Sequence, residues 1–421
     1  MGVFYGYRLV AYSFVVCFLA TSFFLHARGV FFPYWMADFQ VSKTELSAVV
    51  TATLFSGAMF APIMGYLIDH LRVKWIVTVA SLWLCAGYLL MQWVESYWGL
   101  ILVLIPFQGL GWTGVGPLVH TKLMVNWFSR NRGMALGFAI MGMSVAGVVV
   151  PPINAFLAET IGWRNAYLIY VGLLVGLVIP ATLLLVRQHP SELGQHPDGI
   201  APAVEGSSAD NSPAARPRMA PDTQGWAVYR EVLTNPAFWS VVLTFGLMNG
   251  VYSAMATHLP TYMSTELNFT IVDAAWLLSL AGGFAIGGKI VFGWMMDHLP
   301  AKITVLSGVV AYIGSTLAIL SGASFATLSV AAALFGLGFG GMVPVRSVVI
   351  SRIFGAARFS RANGLLSFFI APATFWVLIT GYVADQAGSY LPAFQIWCGA
   401  FLLAGVVSLI VKIPNADEAV A

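Results

Sequence analysis

The chain has 421 residues, of which 59% are hydrophobic and only 9% are charged, and its formal net charge is +3. Soluble domains carry roughly 25% charged residues, so this composition excludes an ordinary soluble protein. The small net charge gives no indication of nucleic-acid binding, and we expect none. Apolar runs of about 20 residues, the length that a helix needs to cross a bilayer, recur along the chain.

These runs predict twelve transmembrane helices and an all-α membrane protein embedded in the lipid bilayer. The predicted spans 1 to 6 cover residues 8–36, 44–69, 74–94, 98–127, 132–158 and 165–187, and spans 7 to 12 cover 236–264, 271–297, 302–322, 325–353, 361–385 and 391–412. The polar segment 188–235 lies between them and predicts a cytoplasmic linker that is mostly mobile. We therefore divide the chain into two six-helix halves, 1–187 and 236–421.

The two halves repeat one another in sequence. The pattern Gly-x3-Asp-His-Leu-x2-Lys occurs at 65–74 and again at 293–302, which is 228 residues later. A Gly-Leu-Gly pattern followed by Pro also occurs at 109–117 and again at 336–344. Matches at nearly one offset indicate a duplication in the same orientation, which is how one class of membrane transporters is built.

The distribution of basic residues predicts the orientation of the chain. If the N-terminus is inside, the outer loops carry only Lys43 and Arg164, and the remaining Lys and Arg residues outside the spans face the cytoplasm. We expect a multi-pass protein of the cell membrane, the inner membrane in a bacterium, with cytoplasmic N- and C-termini. The cytoplasmic set is Arg8, Arg72, Lys74, Arg130, Arg132, Arg187, Arg216, Arg218, Arg230, Lys302, Arg352, Arg358, Arg361 and Lys412.

Basic or titratable nitrogen side chains lie inside the apolar runs, without a carboxylate at the same depth. A charge at the centre of a membrane helix costs about 2.5–3.5 kcal/mol on insertion scales, so such residues are usually functional. Positive charges without an internal partner favour an anionic cargo. The sequence shows no catalytic nucleophile with a neighbouring base and no cluster of metal ligands. We therefore expect that the protein is not an enzyme and has no metal site or cofactor. The residues are His26, Arg28, His120, Lys122, His258, Lys289 and Arg346.

The chain resembles the major facilitator superfamily in its two Gly-x3-Asp loops and in Arg132-Gly133 at the start of span 5. Within that superfamily it is similar to the monocarboxylate transporters and their bacterial oxalate/formate antiporter-like relatives. Short stretches carry this second resemblance, namely 4–8, 29–32, 127–137, 142–152, 162–164, 190–194 and 197–199. The resemblance implies the major facilitator fold and a proton-coupled symporter of a small organic monocarboxylate that works by alternating access. We expect a functional monomer.

The resemblance also implies roles for single residues. Similar transporters hold the substrate carboxylate with a basic residue in span 8, and Lys289 occupies that place as Lys where Arg is usual. Alignment on 30–32 places His26 where the animal monocarboxylate transporters have a Lys in span 1. Their proton-linked Asp, one helical turn before the span-8 cation, is replaced by Ala285. This chain therefore departs from the usual proton route of the family.

Lys289 and Arg346 are predicted to be the main anion contacts, because both lie well inside their spans. Lys provides a point charge, and the guanidinium of Arg provides a fork that pairs with both oxygens of a carboxylate. His26 and Arg28 compete for the same cavity. Residues two apart on an α-helix point about 200° away from each other, so both face one cavity only if Gly29 loosens the helix.

His120 and His258, which lie close to prolines in spans 4 and 7, are further candidates for substrate contact. The proton is predicted to ride on His26, His120 or His258, since imidazole titrates near the working pH, or on Lys289. Lys122 lies near the end of span 4, where its long side chain is expected to reach the membrane interface.

The two Asp-His-Leu loops predict a conformational latch. In the family pattern the Asp of each loop pairs across helices and locks one state of the transporter. Asp69 and Asp297, together with the basic residues Arg72, Lys74 and Lys302, fit such a latch.

The residues leave two modes of transport open. A symporter would move the anion together with a proton, so that a pH gradient drives uptake. A carboxylate anion exchanger of the oxalate/formate type, or one for dicarboxylates held between Lys289 and Arg346, is the alternative.

Overall fold

The computed structural model describes residues 4–199, 225–322 and 324–410, and no β-strand occurs in these ranges. Twelve of the described helices are long and apolar enough to cross a membrane. Spans 1 to 6 are Tyr5–Phe39, Lys43–His70, Val73–Trp93, Tyr97–Trp127, Gly133–Ile161 and Trp163–Leu185, and spans 7 to 12 are Pro236–Thr265, Ile271–His298, Ala301–Ser321, Phe325–Gly355, Ala362–Ala387 and Leu391–Leu409. The predicted spans are confirmed, since their ends agree to within a few residues.

π-Helical turns interrupt three of the described spans. They cover Ser22–Ala27 in span 1, Leu104–Gly109 in span 4 and Leu174–Val178 in span 6. Span 4 also breaks at Gly116, whose extended backbone precedes Pro117. A π turn widens the helix and changes the direction of the side chains in it, and such turns are frequent at functional sites.

Each half is built around its own hydrophobic core. The first core consists mainly of side chains between Leu9 and Val186, and the second runs from Val232 to Phe401. The duplication is visible where spans 2 and 8 end. Nδ1 of His70 donates to the carbonyl of Tyr66 at 2.8 Å, and Nδ1 of His298 donates to the carbonyl of Trp294 at 2.9 Å.

Both ends of the predicted linker are ordered. Residues 188–199 form two short 3-10 turns that pack on the first half, and Gly225–Thr234 forms a helix on the second half. Residues 200–224, with Arg216 and Arg218, and the C-terminal Lys412 lie outside the described residues. The division of the chain at residues 187 and 235 stays a prediction.

Asp198 fastens the segment after span 6 to the loop between spans 4 and 5. Its carboxylate accepts hydrogen bonds from the backbone N–H groups of Ser129 at 2.8 Å, Arg130 at 2.6 Å and Asn131 at 3.3 Å. Partial burial raises the pKa of Asp198, but the three backbone donors and the Arg130 guanidinium lower it by more. Its pKa therefore lies below the usual value. The contact is therefore strongest with an ionised carboxylate.

Asp198→Asn should loosen this loop at neutral pH, because the amide keeps the shape but loses the charge-assisted bonds. A carboxyl whose pKa is lowered by folding stabilises the native state above its unfolded pKa of about 3.9. That stabilisation disappears as the pH falls through the lower native pKa. We expect residues 129–131 to exchange their amide hydrogens faster in the variant, as measured by mass spectrometry.

A matched control is Glu192→Gln. The Glu192 carboxylate accepts from the backbone N–H of Gln188 at 3.1 Å, within the same segment, and makes no bond to residues 129–131. Unchanged exchange at 129–131 in Asp198→Asn would contradict the assigned role.

Charged groups seal the two halves at one face of the bundle. We call the face at which Tyr5 begins span 1 the N-face, and the other the opposite face. At the opposite face Asp385 of span 11 accepts from the backbone N–H groups of Lys43 at 3.2 Å and Thr44 at 2.6 Å, at the start of span 2. These N–H groups have no partner within their own helix, so the carboxylate caps the positive end of span 2.

Lys43 adds a second link in this seal. Its Nζ lies 3.6 Å from the carboxylate of Glu266 and 4.3 Å from the ring centroid of Tyr390. The backbones also approach closely here, since a Cβ added at Gly381 of span 11 would lie 2.7 Å from the carbonyl oxygen of Lys43. Nearer the N-face, the ion pairs Asp69–Lys122 and Glu231–Arg358 each lie within one half.

Asp385→Asn should weaken the seal, because a negative charge at the positive end of a helix typically contributes about 0.3–1 kcal/mol. The measurement is the rate at which a maleimide labels Ser47→Cys, a buried position in the seal, in a chain whose native cysteines are replaced by Ala. We expect faster labelling when Asp385→Asn is added.

Asp38→Asn is the control for this experiment. It breaks the 2.5 Å ion pair with Arg164 at the same face but within the first half. Labelling that rises equally with both variants would argue against a specific role for Asp385.

Candidate functional site

A cavity of about 500 Å³ lies between the two halves, with walls from spans 1, 4, 5, 7, 8 and 10. Its size is typical of sites that bind small molecules. A second groove of about 460 Å³ runs between spans 1 and 5, but its lining is apolar apart from Tyr7 and Asn131. The cavity between the halves is the candidate site, because it alone of the two carries charged side chains among the described residues.

Three nitrogen side chains that the sequence singled out meet in this cavity. They are His26 of span 1, Lys289 of span 8 and Arg346 of span 10, and no Asp or Glu lines the cavity in the described part of the chain. Lys289 Nζ donates a hydrogen bond across the halves to the hydroxyl of Ser144 in span 5. Nε of Arg346 has no hydrogen-bond partner among the described residues. The cavity therefore holds positive charge without an internal counter-ion.

The π turn of span 1 presents His26 to the cavity. The imidazole lies against span 5, where a Cβ added at Gly147 would lie 3.2 Å from its Cε1 atom. Ser144, the partner of Lys289, lies one turn earlier on span 5. His26 and Lys289, which belong to opposite halves, therefore border the same short stretch of one helix.

Arg28 does not line this cavity. Its side chain is 6% exposed and borders a small chamber inside the first half with Trp35, Thr53 and Gln108. The guanidinium is within electrostatic range of Tyr252, whose ring belongs to the cavity wall. Of the two competing residues, the structure brings only His26 into the cavity.

His120 and His258 lie outside the cavity lining, and both are fully buried. His120 is turned into the first half, where its Nδ1 lies 3.0 Å from the hydroxyl of Ser13. His258 belongs to the seal at the opposite face. Its Nε2 donates to the carbonyl of Val377 at 2.9 Å, and its Nδ1 lies 3.0 Å from the hydroxyl of Tyr390. Helix packing turns both side chains away from the cavity in this conformation, and their predicted substrate contact stays a prediction.

The predicted latch residues make contacts within their own halves. Asp69 forms an ion pair with Lys122 of span 4 at 2.6 Å, rather than with Arg72 or Lys74. Lys302 donates to the carbonyl of Leu409 in span 12, and Asp297 is exposed. Lys122 is partly exposed near the N-face, as expected of an interfacial lysine. The latch itself stays a prediction.

An aromatic wall on spans 7 and 10 contains two residues, Phe335 and Phe339, that sequence analysis did not single out. The ring of Tyr252 stacks on Phe339 with centroids 3.5 Å apart and on Phe335 with centroids 5.6 Å apart, at interplanar angles of 5° and 8°. All three residues line the cavity. No local signal marks them, because aromatic residues in apolar spans usually pack in a core.

Glycines bring the halves into backbone contact beside the cavity. A Cβ added at Gly282 of span 8 would lie 2.6 Å from the carbonyl carbon and oxygen of Gly147 in span 5. Small residues of this kind let membrane helices cross with their backbones touching. Gly147 was part of a stretch that carried the sequence resemblance, but the crossing partner could not be identified from the sequence.

Comparison with known proteins agrees with this architecture. A family model described as Major Facilitator Superfamily matches residues 12–325. "Monocarboxylate transporter 13" of Rattus norvegicus is 26% identical over 393 residues, which cover 90% of this chain and 83% of that protein. "Probable L-galactonate transporter" of Escherichia coli (strain K12) is 23% identical over 385 residues, 88% of this chain and 81% of that protein.

Among solved structures, that of the nucleoside transporter NupG superposes with a TM-score of 0.74 at 14% identity, over 96% of this chain and 99% of that one. A likeness at this identity shows the fold alone. The chain therefore belongs to the major facilitator superfamily and is a multi-pass membrane transporter with two six-helix halves, not an enzyme.

Proposed function

We propose that the chain is a secondary transporter of an organic monocarboxylate, which it moves together with a proton by alternating access. The observation that carries this proposal is the charge of the cavity, where His26, Lys289 and Arg346 have no described carboxylate beside them. Several relatives at about one-quarter identity are named monocarboxylate transporters, which supports the same substrate class.

The carboxylate binds between Lys289 and Arg346 in this proposal. The Ser144 hydroxyl that accepts from Lys289 occupies a place where a carboxylate oxygen would be the stronger acceptor. The free Nε of Arg346 supplies a further donor to the second oxygen. Each charge then acquires a partner at membrane depth, which removes the cost of leaving it unpaired.

Alternating access requires each face to open in turn. The N-face is cytoplasmic in this proposal, because most basic loop residues lie there, so the structure corresponds to a state closed to the outside. Asp385, Glu266 and Lys43 close the outer face. The two halves rock about the crossing of Gly147 and Gly282, and the loops with Asp69 and Asp297 close the inner face in the other state.

His26 is the proton carrier in this proposal. It is the histidine that lines the cavity, and it borders the same turn of span 5 as Lys289. Ala285, one turn before Lys289, also lines the cavity but offers no carboxylate for a proton. Anion exchange remains the competing mode of transport. Two cations with no carboxylate in the cavity also suit an exchanger, in which the protein changes between its outward-open and inward-open states only with an anion bound.

Lys289→Ala and Arg346→Ala should each weaken carboxylate binding by about 10- to 100-fold, since a hydrogen bond to a charged group contributes about 1.5–3 kcal/mol. Binding is measured by thermal shift and calorimetry with a panel of acetate, lactate, benzoate and phenylacetate on purified protein. Lys289→Arg should retain part of the affinity, because it keeps the charge. Lys122→Ala, which removes a lysine near the N-face outside the cavity, is the control. Normal binding by both cavity variants would refute the anion site.

Proteoliposomes distinguish symport from exchange. An acid-outside pH gradient should drive uptake of the labelled acid that binds best, and His26→Gln should abolish this uptake but preserve exchange with internal acid. His120→Gln and His258→Gln are the matched variants for the other two histidines, and loss of coupling in one of them instead would reassign the carrier. If the pH gradient drives nothing and internal acid is required, the protein is an exchanger.

A further inference from the structure

The cavity is polarised along the membrane normal. Spans 8 and 10 both run from the opposite face to the N-face, so residues later in each span lie nearer the N-face. Arg346 follows Phe339 by seven residues, which is about 10 Å along the helix. Lys289 likewise follows Ala285, which packs against Gly340, by one turn. The cationic end of the cavity therefore lies toward the N-face and the aromatic end lies deeper.

The deep end has a composition that suits an apolar body. Tyr252 and Phe339 are partly exposed and present parallel rings, and Phe335 stacks behind Tyr252. The thioether of Met255 and the side chain of Leu259 line the same part of span 7. Planar rings stack favourably on such a wall, and a polarisable sulfur also packs well against an aromatic ring.

Small hydroxy or keto acids make little use of this end. A three-carbon acid has one methyl group to bury, and a cavity of about 500 Å³ would keep water against the aromatic wall. A dicarboxylate would place its second carboxylate at the deep end, where Met255, Leu259 and Phe335 are apolar and His26, the proposed proton carrier, is the one basic side chain among the described residues. A ring joined to a single carboxylate matches both ends of the cavity.

We infer that the preferred substrate is an aryl-substituted monocarboxylate, whose carboxylate pairs with Lys289 and Arg346 and whose ring packs against the aromatic wall formed by the stacked pair Tyr252 and Phe339. This inference rests on the proposed function and narrows its substrate class. Phe339 and Tyr252 then act as specificity residues, since they contact the substituent of the acid and not its carboxylate.

The test compares acids that share a charge and differ in their body. Dissociation constants of acetate, lactate, cyclohexylacetate and phenylacetate are measured by calorimetry on the purified full chain. Phenylacetate should bind at least about 10-fold more tightly than acetate or lactate, because it buries a ring. Phe339→Ala should lower the ratio of phenylacetate to acetate affinity by about 10-fold.

Two further variants distinguish the stacking contribution of the Phe339 ring from the effect of apolar side-chain volume and from a general loss of protein stability. Phe339→Leu keeps an apolar side chain but removes the ring. It should therefore lower the ratio of phenylacetate to cyclohexylacetate affinity and leave the affinity for cyclohexylacetate nearly unchanged. Phe325→Ala removes a partly exposed ring at the opposite-face end of the same span, outside the cavity, and should leave all ratios unchanged.

The outcomes of this test are distinct. If acetate or lactate binds as tightly as phenylacetate, or if Phe339→Ala changes all acids equally, the aryl preference is overturned and the anion site stands. If no acid binds, or if Lys289→Ala and Arg346→Ala leave binding unchanged, the proposed function itself fails.

Discussion

Positive charge without an internal counter-ion, at mid-depth in a membrane protein, is the constraint on which the rest of this structure depends. Lys289 and Arg346 face a cavity that no described carboxylate shares. Closing both halves around these cations in a dry state would remove their hydration without replacing it, which is costly in a low dielectric. In the proposed function a bound carboxylate supplies the missing charge, so that the substrate itself makes an occluded state accessible.

The described acidic side chains that link or cap helices lie instead at the faces of the bundle. Asp385 and Glu266 link the halves at the opposite face, and Asp69 pairs within the first half at the N-face. The partly exposed ion pair between Lys43 and Glu266 contributes little to stability, typically about 0–1 kcal/mol. Weak links suit a seal that has to open, whereas a strong buried pair would hold one state.

Local properties of the sequence predicted much of this fold. The length of an apolar run sets a transmembrane helix, and the repeat from 65–74 to 293–302 revealed the duplication before any helix was placed. Lys289 and Arg346 were found because charges at membrane depth are rare. Phe335 and Phe339 of the aromatic wall were not found, because rings that line a cavity and rings that fill a core have the same local signature.

The sequence by itself determined the number of spans, the duplication and the identity of the cationic side chains, since composition and periodicity fix these locally. The tertiary structure decided which of them share a cavity. His26 and Arg28 are two residues apart, yet a π turn and the packing of spans 5 and 7 send one to the cavity and the other into the first half. Side-chain direction depends on contacts between helices that are distant in sequence, and a single chain's sequence does not display those contacts.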